Sequence, residues 1–451
     1  MATPPPITST AREARTLIGL AWPVVLTGLN WTILHVTDVV VVGLVGGHEV
    51  AALSASRALT FIGIVTMLGC LSGVIVFVSR ADGAGDLPAT GKHFREGIML
   101  AALLGLASGG VLYAFALPGL LAVGVAPGIA PAAAAVVRTM ALAYPFQLLL
   151  IAASFFLEGV SRPRRVMTVN LATLPLNAVL AWALSGGHLG LPMLGAVGAA
   201  AATVVASVAG AVLMLVAATT LPRAAERGVR DWAAYLTPAT VAGAWRLLKF
   251  GTVPAIASGL ELAGFSILIA LSTQLGDAVT HAFQIVFSIH NVTFAVALGL
   301  GSAAGVRVGN AVGEGVPRDA PRRAAIAAGL AALATGTLAL GLIVFDRAVT
   351  GAFPATAEAQ MLAAAMLLVW APFILFDGLQ VVFVYALRSL GDQVAAGING
   401  IVAFFLVTGG LGWWLVGQGL GAMALVWASG LGMVAAAALG GVRLWWVGRR
   451  L

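Results

Sequence analysis

The hydrophobic positions of this chain do not alternate with polar ones; they fill long runs separated by short polar connections. The runs lie at roughly 17–45, 51–79, 95–118, 131–158, 165–186, 194–221, 245–274, 280–307, 324–346, 359–388, 394–417 and 420–447. Crossing a bilayer takes about 20 mostly apolar residues per helix, and the runs are of that order. Strands of a membrane barrel would show ~10-residue alternating segments instead, and the chain has none. In lipid a segment must satisfy its own backbone, which a helix does unaided. The pattern predicts an all-α membrane protein with twelve transmembrane helices.

Composition removes the soluble alternative. Hydrophobic residues make up 60% of the 451 and charged residues 9%, with a mean hydropathy of +1.03, whereas a soluble domain carries about 25% charged residues. The net charge of +7 would suggest nucleic acid in a soluble chain, but here its placement decides. Of the 24 Lys and Arg residues, all except Arg57, Arg138 and Arg347 fall in the tails and the even-numbered connections. That is the positive-inside bias, which predicts an even number of spans with both termini in the cytoplasm and no nucleic-acid partner. Arg outnumbers Lys 22 to 2, a bias of GC-rich bacterial genomes, so a bacterial inner membrane is the expected location. The opening MATPPPITSTAREART lacks the apolar core of a cleaved signal, so the first span is expected to stay in the mature protein. The single cysteine, Cys70, excludes a disulfide or thiolate metal site within one chain and reads as a buried small hydrophobe.

The polar stretch near 222–246 divides the chain into two halves of six spans. Pro23 begins PVVLTGLN and Pro254 begins PAIASGLE, which sets Asn30 opposite Glu261 at a shift of 231. VSRADGAGD (78–86) matches VRVGNAVGE (306–314) at a shift of 228, Tyr144-Pro145-Phe146 matches Ala371-Pro372-Phe373, and Leu194-Gly195-Ala196 matches Leu420-Gly421-Ala422. Four matches in one order argue for a duplicated bundle. With an even number of spans per half, the copies are parallel and related by an axis along the membrane normal, a geometry suited to alternating access. The expected organisation is a cytoplasmic tail over 1–16, a first lobe over 17–221, a cytoplasmic linker over 222–244, a second lobe over 245–447 and a tail over 448–451.

Charged groups inside the hydrocarbon cost roughly 2.5–3.5 kcal/mol on insertion scales and mark functional positions. Three acids lie well inside predicted spans: Asp38, Glu261 and Asp377. Glu158, beside Arg162, Arg164 and Arg165, reads instead as a surface ion-pair partner. At 1.5 Å rise per residue, Glu261 and Asp377 differ in depth by roughly 6 Å, which tilt or a kink at Pro372 can close. Two carboxylates facing each other in low dielectric cannot both ionise comfortably, so such a pair holds a proton or takes up a cation.

Several segments together resemble the multidrug and toxic compound extrusion (MATE) family, its NorM-like branch in particular, over nearly all twelve spans. They are Pro23 with Asp38 fifteen places on, VAALSAS (50–56), GAGD (83–86), Glu261 with Phe265, VRVGNAVGEG (306–315) and FDGLQVVFVYALRSLGD (376–392). The resemblance implies a V-shaped, pseudo-twofold antiporter of two six-helix bundles. Such a protein exports mostly cationic amphipathic compounds against inward sodium or protons, with no cofactor. It further implies that Glu261 and Asp377 couple the cation, as sodium or proton, and that Asp38, Asn177 and Thr203 form the polar set of the first lobe. Gln284 and Gln380 read either as cavity residues or as helix-to-helix bonds. Three departures stand out: Ala181 replaces a polar residue one turn after Asn177, Pro254 is one residue nearer its glutamate, and Ala297 stands where the family has a proline. Arg57 has no family counterpart. Asp38 and Arg57 each lie about seven residues from the outer end of their spans, ~10 Å deep, so Arg57 is expected to approach Asp38 closely enough to pair with it in at least one conformation, the alternative being an arginine that snorkels to the headgroups.

Other classes fit less well. A major-facilitator transporter carries a Gly-Asp-Arg signature after its second span, and SRADGAGDLPATGKHFREG does not match it. A lipid or oligosaccharide flippase of the wider superfamily would line its cavity with several basic residues. An intramembrane enzyme needs a nucleophile, base or metal constellation; the six histidines, His35, His48, His93, His188, His281 and His290, contain no i, i+4 pair. His35 and His290, within spans, read as ordinary hydrogen-bonded histidines. No P-loop is present, so ATP is not the expected energy source. A monomer in the bilayer with small amphipathic substrates is the expected assembly.

Overall fold

A computed structural model describes residues 9–451, so part of the tail expected over 1–16 lies outside the described residues. Each apolar run becomes helical, and the described residues contain no strand. The spans are α1 (Thr10–Gly43), α2 (Gly47–Gly83), α3 (Leu87–Ala122), α4 (Ala130–Ala141 with Tyr144–Gly159), α5 (Pro163–Gly186) and α6 (Gly195–Thr219). After the short helices Ala224–Arg227 and Trp232–Leu236 come α7 (Pro238–Gln274), α8 (Asp277–Gly313), α9 (Ala320–Val344), α10 (Ala357–Leu390), α11 (Gln393–Gly417) and α12 (Ala422–Gly448). Eleven are single spans, and α4 makes the twelfth as a pair bent by 48°.

The breaks have local causes. The bend in α4 comes immediately before Pro145, whose missing N–H and bulky ring interrupt the ladder. Phe115, three residues before Pro118, leaves helical geometry (φ −105°, ψ 18°) for the same reason. In α2 the N–H and hydroxyl of Ser72 both bond the Gly69 carbonyl, at 3.2 and 2.7 Å, and close a turn there. Pro372 sets a 3-10 turn at Ala371–Phe373 within α10. Residues Ile401–Leu411 of α11 are π-helical, and the Thr408 hydroxyl reaches the Ala403 carbonyl five residues back at 3.3 Å. By contrast α7 runs through Pro254 unbroken and starts at Pro238, inside the stretch expected as linker.

Two compact units emerge. One comprises residues through Gly28, Gly83–Gly85 and Ile256–Leu451; the other comprises Leu29–Asp82 and Asp86–Ala255. The division cuts α1 at Gly28 and α7 after Ala255, so the first part of each belongs with the opposite sequence half. Within the first unit Glu13, 1% exposed, receives Arg307 in a bidentate pair at 2.6 and 2.7 Å. Within the second, Arg246 of α7 reaches the buried Glu96 of α3 at 3.1 Å. A Cβ on Gly251 would overlap the Cys70 carbonyl, so α7 and α2 touch backbone to backbone there. Cys70 itself is buried, as expected. Small residues permit such approach where lipid supplies no hydrophobic drive between helices. Glu158, expected at the surface, is buried in the last turn of α4, because that helix end is packed on all sides.

Candidate functional site

In the first unit, α10 restarts after Pro372 and places Asp377 one turn into its second segment, 2% exposed. One carboxylate oxygen lies 3.2 Å from His290 Nε2 of α8, and the other accepts from the Gln380 side-chain amide at 3.2 Å. The His290 ring is caged by Phe265, Phe287, Phe294 and Trp370, with centroids 5.6, 5.9, 5.9 and 5.2 Å away. Phe265 stands one turn beyond Glu261 on α7, so α7, α8 and α10 converge on one buried point. Glu261 is half-buried, forms no hydrogen bond or ion pair among the described residues, and lies within electrostatic reach of Asp377 and Arg388. Beside His290 a void of about 10 Å3 is lined by Phe265, Phe283 and Trp370 among others, at the margin for one water.

This cluster takes in four of the sequence candidates, Glu261, Phe265, Asp377 and Gln380. It does not take in Gln284, which is exposed and makes no side-chain hydrogen bond; six residues before His290, it projects from another face of α8. His290, read from the sequence as a hydrogen-bonded histidine, is one, and its partner Asp377 was not foreseen. Hard cations take oxygen ligands, whereas both Asp377 oxygens face nitrogen groups, and no cluster of three His, Cys, Asp or Glu suited to a metal occurs among the described residues. A carboxylate and an imidazole at 3.2 Å share a proton in either arrangement: N–H donating to the ionised acid, or the protonated acid donating to the ring.

In the second unit a cavity of about 150 Å3 is lined by His35, Asp38, Arg57, Asn177, Thr203 and other residues. Asp38 accepts from the Asn177 amide at 3.1 Å, joining α1 to α5, while Asn177 Oδ1 is buried without a partner. Thr203 lines the cavity, but its hydroxyl turns back to the Ala199 carbonyl at 3.1 Å. Ala181 is fully buried and packs in an apolar cluster with Val42 and Leu53, so the missing polar group there is replaced by core. Asn30, opposite Glu261 in the duplication, is 1% exposed and donates to the Asn170 carbonyl at 3.1 Å. The two halves therefore differ chemically at this matched position. Tyr144 donates to the Thr60 carbonyl at 2.6 Å, joining α4 to α2; its only sequence signal was the repeated Tyr-Pro-Phe and Ala-Pro-Phe match.

In this conformation Arg57 lies within electrostatic reach of Asp38 but forms no ion pair with it among the described residues. Its Nη2 donates to the His35 carbonyl at 3.2 Å. The expected equal depths fail because Arg57 lies ten residues into α2 and Asp38 only five before the end of α1. The guanidinium consequently meets α1 nearly one turn deeper than the acid.

A family profile described as MatE matches the chain twice, over residues 23–183 and 254–414. Each bound of the second match lies 231 residues after that of the first, the offset that relates Pro23 to Pro254. A probable multidrug resistance protein NorM of Deinococcus radiodurans is 32% identical over 458 residues, covering 99% of this chain and 97% of that protein. One of Caulobacter vibrioides is 30% identical over 412 residues, covering 90% and 85%. Among solved structures, a eukaryotic MATE transporter aligns with a TM-score of 0.86 at 20% identity, covering 96% of each chain. An outward-facing multidrug resistance MATE family transporter aligns at 0.84 with 17% identity, covering 97% and 96%.

Proposed function

The chain belongs to the MatE family, and from that premise we propose that it is an antiporter that exports amphipathic, mostly cationic compounds in exchange for inward protons. It is a multi-pass membrane protein and a multidrug efflux transporter, not an enzyme. The reading places it in a bacterial inner membrane with both termini cytoplasmic, in keeping with its Lys and Arg distribution.

The observation that carries the coupling is the buried contact of His290 with Asp377 at 3.2 Å, in the unit where Glu261 stands without a hydrogen-bond partner. In the proposed cycle Glu261 and the His290–Asp377 pair take up protons from outside, the acidic region loses negative charge, and a cationic substrate held there is released. Return of the protons to the cytoplasm restores the charge and the affinity. Substrate and proton thus compete, and their coupling is reciprocal.

The test is dye efflux in proteoliposomes with sodium and proton gradients imposed separately. The proton gradient alone is expected to drive export, and Glu261→Gln or Asp377→Asn to abolish it while expression persists. Export driven by sodium alone would replace the proton in this scheme, and normal gradient-driven export by both variants would remove these acids from coupling. A flippase of the wider superfamily is less well supported. A phosphate-linked lipid calls for several cavity cations, and Arg57 is the one Lys or Arg among the residues lining the second-unit cavity.

A further inference from the structure

Glu261 lies within electrostatic reach of Arg388, which stands two residues before the end of α10. Arg388 makes no ion pair among the described residues, and its Nε is buried without a hydrogen-bond partner. The guanidinium carbon sits 5.9 Å from the Tyr385 ring centre, close enough for an aromatic face to hold a cation. Gln393 Oε1 and Asn399 Nδ2, in the first two turns of α11, are likewise buried and unbonded. Buried polar atoms of this kind call for a partner.

The packing of α7 on α11 places Glu261 beside these groups. A carbon added at Gly400 would lie 3.9 Å from Ala257, one turn before Glu261, and one added at Gly264 would run into the Phe404 carbonyl. Glu261 therefore falls between two close contacts with α11, one turn outward from the level of Asn399 and Gly400. α11 itself brings no titratable side chain. The groups that face the acid are Asp377 of α10 with its partner His290 of α8, and Arg388 of α10 with Tyr385 behind it. Both Asp377 oxygens are already engaged, by His290 and Gln380. Arg307 of α8, Arg323 of α9 and Arg443 of α12 are committed to Glu13, to Glu314 with Asp319, and to Asp392. Arg388 keeps a donor to spare. An ionised carboxylate inside the membrane needs a cation or donors to offset its desolvation, whereas a protonated one does not.

We propose that Arg388 is the partner that Glu261 takes when it gives up its proton. The O–H bond of Glu261 breaks, the proton passes to water on the cytoplasmic side, and a carboxylate oxygen accepts from the Arg388 Nε–H. Uptake of a proton from outside neutralises the carboxylate and breaks the pair again. The inference rests on the proton-antiport reading and adds to it a positioning residue, one that acts on the ion through Glu261. The arginine donor set suits this better than a lysine, because a guanidinium stays charged and offers N–H groups in a fixed plane.

The test follows equilibrium binding of the cationic dye ethidium to the full-length protein in nanodiscs across pH. In the wild type protons displace the dye as pH falls, and the reading is the pH midpoint of that displacement. Arg388→Gln is expected to move the midpoint upward by about one unit, since the acid then holds its proton to higher pH; an opposite charge at close range accounts for about 1–3 units. Arg388→Lys, which keeps the charge and loses the Nε donor, should fall between. In a Glu261→Gln background the same Arg388→Gln step should leave the remaining midpoint unmoved, because the two residues act as a pair. Arg388→Met, an apolar chain of similar length, is made in parallel, so that a neutral variant is read even where a buried amide prevents folding. A neutral variant whose midpoint stays within ~0.3 unit of the wild type, a twofold effect, overturns the proposal, as does an equal shift with and without Glu261. A wild type whose dye binding ignores pH, or a Glu261→Gln variant with the wild-type midpoint, overturns instead the coupling reading beneath it.

Discussion

His290 and Asp377 make a buried carboxylate tolerable by different means than Asp38 and Asn177. Asp38 meets the N–H of a neutral amide, which takes up no proton; Asp377 meets an imidazole, which can carry one. On the proposed reading, that difference places proton coupling in the first unit. His290→Gln tests it at the level of a single side chain, because glutamine keeps an N–H donor for Asp377 but cannot take up a proton. Proton-driven dye efflux is expected to fall roughly tenfold or more, with the thermal midpoint as the folding control. Efflux at the wild-type rate would reduce His290 to a structural donor. The acids themselves were legible in the sequence, since charge in an apolar run is conspicuous. Their partners were not, because His290 lies 87 residues from Asp377 in the chain and a lone histidine has no pattern.

Helices were largely legible, because length and apolarity act segment by segment. The proline breaks at Pro118, Pro145 and Pro372 follow from proline chemistry, whereas the unbroken passage of α7 through Pro254 and the π-helical stretch Ile401–Leu411 carried no such signal. The latter is bound up with packing. A Cβ on Gly264, one turn from Glu261, would run into the Phe404 carbonyl of the π segment, so α7 approaches α11 there through bare backbone. Gly264→Ala is expected to destabilise the protein by about 1–3 kcal/mol through overpacking, seen as a lower thermal midpoint. Gly341→Ala in α9, where nothing lies within 4 Å of the added carbon, should be neutral or stabilise by up to ~1 kcal/mol. Equal midpoints for the two variants would mean that the close α7–α11 contact is absent.

At the scale of the whole molecule the duplication shows in the sequence as one repeated offset and in the family matches as the same 231 residues. The compact units nevertheless do not coincide with the sequence halves, since α1 and α7 are each cut partway along. Orientation rests on the Lys and Arg distribution and can be checked directly. Cys70 is the single cysteine and is buried, so introduced cysteines can be labelled over a low background. Ala126, between α3 and α4, and Ala225, between α6 and α7, are both exposed. On intact cells an impermeant maleimide should label Ala126→Cys at once and Ala225→Cys only after permeabilisation. The opposite pattern would invert the topology.

The amino-acid sequence by itself determined the number and placement of the spans, the two-fold plan and the identity of the intramembrane acids. Each of these follows from a demand that the bilayer makes on a single segment, or from repetition along the chain. Tertiary structure alone decided which groups meet: His290 with Asp377, Asn177 with Asp38, and Arg57 with the His35 carbonyl in place of an acid. In a water-soluble helix the polar face announces its rotation. Here lipid and protein interior are both apolar, so rotation and register are set by the fit of small residues between many helices at once, and no local pattern records it.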